Sequence, residues 1–262
     1  MTATPEEGQP IQLECDGVTK RFGGVTAVND VTFAVRRHEK VGLIGPNGAG
    51  KTTLFNVVTG FAPASAGQVR WEGRDITRVH PSNRTKFGLV RSFQRSRVFP
   101  GLTVQDNLRT ACHIAVQGNV FGDLFRSPRS RQNERTIRER TEELLEEYAL
   151  TDVAHRPAGE LSYGLGKRIG FVMALAPRPR MLLLDEPAAG LNRDEVDLLR
   201  TDLEGLSHGG VTVMFVEHHM GLVMQVAERI IVLDAGQMIA EGTPAQIATD
   251  ARVVDAYLGT NK

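Results

Sequence analysis

Gly45-Pro46-Asn47-Gly48-Ala49-Gly50-Lys51-Thr52 decides the fold of this 262-residue chain. The pattern is Gly, four residues, Gly-Lys, then Ser or Thr, and its flanks carry as much information as its letters. A compact apolar run at 40–45 predicts a strand before it, and 52–59 reads as a helix after it. Glycines let successive backbone N–H groups turn toward one anion, and the first turn of a helix adds its positive end. Such a loop, from Gly45 to Thr53, wraps the phosphate chain of a nucleotide. Lys51 is expected to reach the β- and γ-phosphates, and the Thr52 hydroxyl to ligate Mg²⁺.

The matching half of a nucleotide site follows at Met181-Leu182-Leu183-Leu184-Asp185-Glu186-Pro187. A short buried strand here delivers an acid pair to its C-terminal edge, where open α/β sheets bind ligands. Asp185 is placed to hold the metal and Glu186 to polarise an attacking water. Further strands are expected at 211–216 and 230–233, alternating with helices at 193–206 and 219–228. That rhythm implies a parallel sheet covered on both faces. Shorter β-like runs stand at 11–15, 27–35 and 68–71. Between about 92 and 159 the pattern turns helical. In 134–148, Ile137, Thr141, Leu144, Leu145 and Tyr148 share one face opposite Glu and Arg, which marks an amphipathic helix.

Composition removes several classes. Lys and Arg number 31 against 31 Asp and Glu, so the chain lacks the basic excess of a general nucleic-acid binder. Cys15 and Cys112 are the two cysteines, too few for a disulfide framework or a metal cluster. No apolar run approaches the roughly 20 residues that span a bilayer. The polar start, with Glu6 and Glu7, is unlike a secretory signal. These features lead us to expect a reduced, cytoplasmic chain that acts on a membrane only through partners.

Further motifs carry a resemblance. Leu161-Ser162-Tyr163-Gly164 lies between the phosphate loop and the acidic strand. Gln94 follows Arg91-Ser92-Phe93, Ala188-Ala189-Gly190-Leu191-Asn192 follows the acid pair, and His218 follows Phe215-Val216-Glu217. In this order the motifs resemble the ATPase subunits of ABC transporters over residues 11–259. The fold this implies is α/β: a P-loop NTPase (RecA-like) core with an N-terminal antiparallel β region and an inserted α-helical signature subdomain. A single domain would cover 1–262, with its nucleotide-binding core at about 11–91 and 160–240. The helical subdomain and insert would occupy about 92–159, and a helical end 241–262.

The resemblance also implies roles. Glu186 and His218 are the catalytic pair, Phe22 stacks on adenine, and Gln94, with Thr52 and Asp185, attends the Mg²⁺ and links the site to a membrane subunit. Leu161, Ser162, Tyr163 and Gly164 form the signature that grips ATP held by a second ATPase subunit, docked head to tail. Gly190, Leu191 and Asn192 belong to the D-loop. The cofactors are ATP and Mg²⁺. The partners are that second ATPase subunit, expected to be a different chain, two transmembrane permease subunits and, indirectly, a substrate-binding protein. No nucleic acid is expected, and the location is the cytoplasmic face of the cell membrane.

Within the family the chain is most similar to ATPases for branched-chain and other hydrophobic amino acids. Lys20-Arg21-Phe22-Gly23-Gly24, the insert near 118–133, Val216-Glu217-His218-His219-Met220 and the ending from Ile239 to Gly259 carry that likeness. Urea or amide uptake, lipopolysaccharide export and a soluble ABC ATPase remain as alternatives. Phe22 reads equally as a core aromatic, and Phe99 as either core or permease contact. Basic residues from Arg126 to Arg140 read as a solvated face. The remaining histidines, His38, His80, His113, His155 and His208, read as surface or core. One departure stands out: Leu165-Gly166 replaces the polar pair that usually follows the signature, and Gly170 and Met173 replace an acid and an arginine. This implies a weakened signature and two unequal ATP sites.

Overall fold

A computed structural model of the chain describes residues 9–92, 98–116 and 128–258. The chain divides into two compact units. The first comprises Met1–Arg91, Arg180–Ala189 and Val196–Lys262, and the second Ser92–Pro179 and Gly190–Glu195.

Among the described residues the first unit is built on two sheets. The antiparallel one has the order β2-β1-β4-β5, from β1 (Ile11–Phe22), β2 (Val25–Arg36), β4 (Ala66–Trp71) and β5 (Arg74–Asp75). The other has the order β10-β9-β3-β8-β7-β6. It comprises β3 (Lys40–Ile44), β6 (Leu89–Ser92), β7 (Met181–Asp185), β8 (Thr212–Val216), β9 (Arg229–Asp234) and β10 (Gln237–Gly242). Strands β9, β3, β8 and β7 run parallel, and β10 turns back antiparallel on β9. Met181, Leu183, Met214, Val216, Ile231 and Leu233 project into a core shared with Leu13, Val31, Phe33 and the phosphate-loop helix α1 (Lys51–Thr59). Leu182, Leu184, Val213, Phe215, Ile230 and Val232 on the alternate face are equally buried. Burial on both faces is why these strands read as unbroken apolar runs.

Two long-range devices hold the phosphate loop. Ala49 O accepts from the Gly236 N–H at 3.1 Å, and Gly236 O accepts from the Asn29 N–H at 2.8 Å, so the β9–β10 turn ties the loop to β2. At the other end of α1, the fully buried Arg84 of α2 (Pro81–Lys86) donates to the carbonyls of Val57, Val58, Ile76, Thr77 and Val79. A guanidinium at a helix C-terminus satisfies its last carbonyls and complements its dipole. Burial pushes the Arg84 pKa down to about 10, so the cation persists at neutral pH. Arg84→Met leaves buried carbonyls without donors and should cost about 3 kcal/mol or more, read as a lower midpoint in urea unfolding of the cassette.

In the second unit, α3 (Val104–Val116) packs against α4 (Pro128–Glu147) and α5 (Tyr163–Leu175). The expected face of α4 is buried: Ile137, Thr141, Leu144, Leu145 and Tyr148 are all under a tenth exposed. On its outer face the exposed Arg135 pairs with Glu139 at 2.6 Å, a solvated partner within a helix surface. Arg140 departs from the expected solvated face: its mostly covered side chain pairs with Glu143 at 3.0 Å and donates to Leu175 O at 2.9 Å, because it lies against the end of α5. Arg126 lies outside the described residues. The buried Asn107 clamps the preceding loop, accepting from the Phe99 N–H and donating to Phe99 O and Thr103 O. Phe99 itself is half exposed, which excludes it from the core of this unit. The described residues end in α8 (Pro244–Thr249), with a capping box between Thr243 and Gln246, and α9 (Ala251–Leu258).

Candidate nucleotide site

The C-terminal edge of the parallel sheet gathers the chemistry. Leu43, Val216 and Asp185 lie in one row across β3, β8 and β7. The segment from Gly45, the acid pair Asp185-Glu186 and His218 therefore leave three adjacent strands at the same level. Gly45, at φ 148°, sits where a Cβ would collide with Leu233 O, and Gly50, at φ 97°, where one would collide with Ala27 O. Only glycine serves at these two points of close backbone approach. Pro46, Asn47 and Gly48 form the outward part of the loop, while Ala49 is buried.

Lys51 opens α1 and is buried, with its Nζ donating to Gly45 O at 2.6 Å and Pro46 O at 2.8 Å. Its amine is folded back along the loop. Burial pushes its pKa down, while the charge of Glu186 pulls it back up, so the two face each other electrostatically. Thr52 is exposed on the first turn, with Thr53 partly covered beside it.

Glu186 adopts φ 49°, a left-handed conformation uncommon for a side-chain-bearing residue. Its N–H donates to Val216 O at 2.9 Å. Strain of this kind, of the order of 1 kcal/mol, persists only where surroundings enforce it and concentrates at functional sites. The Glu186 carboxylate lies 3.3 Å from His218 Nε2. His219 has a different place: its Nδ1 accepts from the Leu222 N–H at 3.1 Å and caps α7 (Met220–Val226). Two adjacent histidines thus separate into one facing the acid and one ending a helix. Phe22, with its ring 54% exposed, is not a core residue; it ends β1 opposite Val25, and Lys20 Nζ stands 4.8 Å from its centroid.

Sequence reasoning assigned no role to three residues that the structure draws in. Arg91 donates to Asp185 at 2.6 Å in a mostly buried ion pair and to Asn56 Oδ1 at 2.6 Å, with the rings of Phe55 and Phe61 close by. Glu217 is buried among backbone amides. Tyr257 of α9 receives the Gly45 N–H, and burial pushes its phenol pKa up. The only signal for Arg91 and Glu217 was a charge abutting an apolar strand; Tyr257 had none. Gln94 falls outside the described residues.

Comparison with known proteins agrees with this geometry. The ABC transporter family model matches residues 28–189, and a model described as branched-chain amino acid ATP-binding cassette transporter matches 237–262. This chain belongs to the ABC transporter ATP-binding family. It is 43% identical over 248 residues to the high-affinity branched-chain amino acid transport ATP-binding protein BraF of Pseudomonas aeruginosa, covering 94% of this chain and 97% of that one. It is 39% identical to the corresponding LivG of Salmonella typhimurium, covering 96% and 98%. Among solved structures, an ATP-binding cassette in its ADP conformation superposes with a TM-score of 0.83 at 32% identity, covering 95% and 99%. The chain is therefore an ABC ATPase that binds adenine nucleotide.

The residues expected to form the signature, 161–164, lie in the second unit. Leu161 is partly covered, and the exposed Ser162 is the N-cap of α5, accepting from the Leu165 N–H at 3.3 Å. Gly164 is buried, and a Cβ there would strike the Glu195 carboxylate. Glu195 completes a reciprocal cap with Asn192, two 3.0 Å bonds that open α6 (Arg193–His208). Tyr163 lies against Gly190, where a Cβ would come 3.0 Å from its ring, and Leu191 follows partly covered. The segments 161–164 and 190–195 are thus interlocked within this unit. Gly166 meets nothing within 4 Å of an added Cβ. Gly166→Ala should therefore stabilise the cassette by about 0.5–1 kcal/mol through helix propensity, measurable as a raised melting temperature.

Proposed function

We propose that this chain is the ATP-hydrolysing motor of an ABC importer for branched-chain or other hydrophobic amino acids. The observation that carries the reading is the 43% identity to BraF across nearly the whole of both chains. The C-terminal match at 237–262 supports the same cargo class. Among the described residues no helix is long and apolar enough to cross a membrane. The motor is held at the cytoplasmic face by two permease subunits, pairs with a second, different ATPase chain, and receives cargo through a binding protein.

The residues divide the chemistry as follows. Loop amides from Gly45 to Thr53 and the Lys51 amine grip the phosphates, and Phe22 stacks on adenine. Glu186 takes a proton from the water whose oxygen attacks the γ-phosphorus. The bond to the β–γ bridging oxygen breaks, and ADP departs with the electron pair. His218 holds Glu186 and the γ-phosphate in line. Thr52, Asp185 and Gln94 offer the hard oxygen ligands that suit Mg²⁺, which when bound neutralises charge on the β- and γ-oxygens. Arg91 engages one Asp185 oxygen and fixes that carboxylate's direction. Leu161, Ser162, Tyr163 and the Gly164 backbone form the surface that grips ATP bound by the partner chain, and Gly190, Leu191 and Asn192 face across the dimer.

The test is purification from membranes through a tag on this chain. Permease subunits and a second ATPase should co-purify, and turnover should rise with a binding protein loaded with leucine, isoleucine or valine. Stimulation by urea, amides or lipopolysaccharide instead would reassign the cargo.

A further inference from the structure

Glu217 follows the central strand β8 and is 3% exposed. Its Oε1 accepts from the Ala188 N–H at 2.5 Å, and its Oε2 from the His218 and His219 N–H groups at 2.9 and 3.2 Å. The preceding residue, Val216, accepts from the Glu186 N–H at 2.9 Å. Two consecutive residues of one strand end therefore hold the segment 186–188 on one side and the segment 218–219 on the other. The segments joined carry Glu186 and His218, whose side chains meet at 3.3 Å.

We propose that Glu217 is a positioning residue for ATP hydrolysis, a buried carboxylate that sets the Glu186–His218 geometry by binding the backbone on both sides of it. This rests on the reading of Glu186 and His218 as the hydrolytic pair. The chemistry explains why a carboxylate is used. Three converging N–H donors need an acceptor with two oxygens and no hydrogen of its own, and bonds to a charged acceptor are the stronger kind. An amide fails at one end. In Glu217→Gln the carbonyl oxygen can serve the two histidine N–H groups, but the NH₂ then faces the Ala188 N–H, donor against donor. The link to 186–188 breaks while the side-chain volume is kept. Lys51 and the loop amides that grip the phosphates are untouched.

The experiment is a double-mutant cycle on turnover of the assembled transporter, with wild type, Glu217→Gln, His218→Ala and the double variant. Glu186→Gln serves as a control. Glu217→Gln should lower kcat about tenfold with KM for ATP within about twofold, because misplaced catalytic groups slow the bond-breaking step rather than nucleotide binding. In the His218→Ala background the same change should lower kcat much less, since the geometry it protects is already lost. Unchanged kcat, or losses that multiply in full in the double variant, would overturn the proposal. If Glu217→Gln does not fold, Glu217→Asp takes its place in the same cycle. Its shorter arm keeps the charge and the nearby histidine amides but not Ala188, and the same outcomes decide. Wild-type turnover in Glu186→Gln would overturn the hydrolytic pair and this proposal together, whereas a dead Glu186→Gln beside a fully active Glu217→Gln would overturn this proposal alone.

Discussion

Glu186→Gln in this chain should lower ATP turnover of the assembled transporter by about 100-fold or more while leaving ATP affinity in place. The amide keeps the size of the carboxylate and loses the ability to take a proton from water. Lys51, the loop amides and Asp185 are unaltered, so nucleotide still binds. ATP should accumulate unhydrolysed and trap the closed pairing of the two ATPase subunits, visible as a stable dimer in gel filtration with ATP. The same substitution in the partner ATPase should cost less. That site relies on the signature of this chain, in which Leu165 and Gly166 stand where a polar pair is usual. Equal losses from the two variants would contradict the inequality while leaving the role of Glu186 intact.

The opposite signature is expected from Lys51→Ala: nucleotide binding itself should fail. Lys51 is the buried cation of the loop, held back on Gly45 O and Pro46 O. Removing a charged donor to phosphate costs about 3 kcal/mol, roughly 100-fold in affinity. Titration with ATP followed by calorimetry reads this directly, and affinity equal to wild type would reject the loop as the phosphate site. The pKa supplies the sign of a pH effect. Burial holds the amine below the ordinary lysine range, against the pull of Glu186. Rising pH therefore neutralises it sooner than a surface lysine, and ATP affinity should weaken in alkaline solution in wild type but not in Lys51→Ala.

Much of this was legible in the letters because local signals coincided. Strand β7 spans Met181–Asp185 as expected, since its apolar run Met181–Leu184 is buried on both faces and meets no polar position until Asp185. The helix expected from 193 begins there, where Asn192 and Glu195 cap α6. Elsewhere the signal was hidden. Residues 11–22 read as a short run ending at Cys15, whereas β1 continues to Phe22 through register shifts around Gly17 that break its alternation. Strand β10 escaped notice because it is a sheet edge with mixed burial and a disguised turn. Ala235 and Gly236 both take positive φ, 44° and 81°, as a tight hairpin of the primed kind requires, yet alanine is not a residue that advertises it. Arg84 and Arg91 were opaque for a different cause: their partners are carbonyls and a carboxylate brought together only by the fold. Glu217 shows the same limit, since its place beside Ala188 depends on β7 and β8 pairing.

The central claim is that hydrolysis at this chain's site drives inward movement of branched-chain amino acids. The most direct measurement is uptake of labelled leucine into proteoliposomes carrying the complete transporter, with ATP on the side of this chain and loaded binding protein on the other. ATP-dependent accumulation that disappears with Glu186→Gln in this chain is the predicted result; leucine uptake that is absent, or that proceeds unchanged with Glu186→Gln, would contradict it.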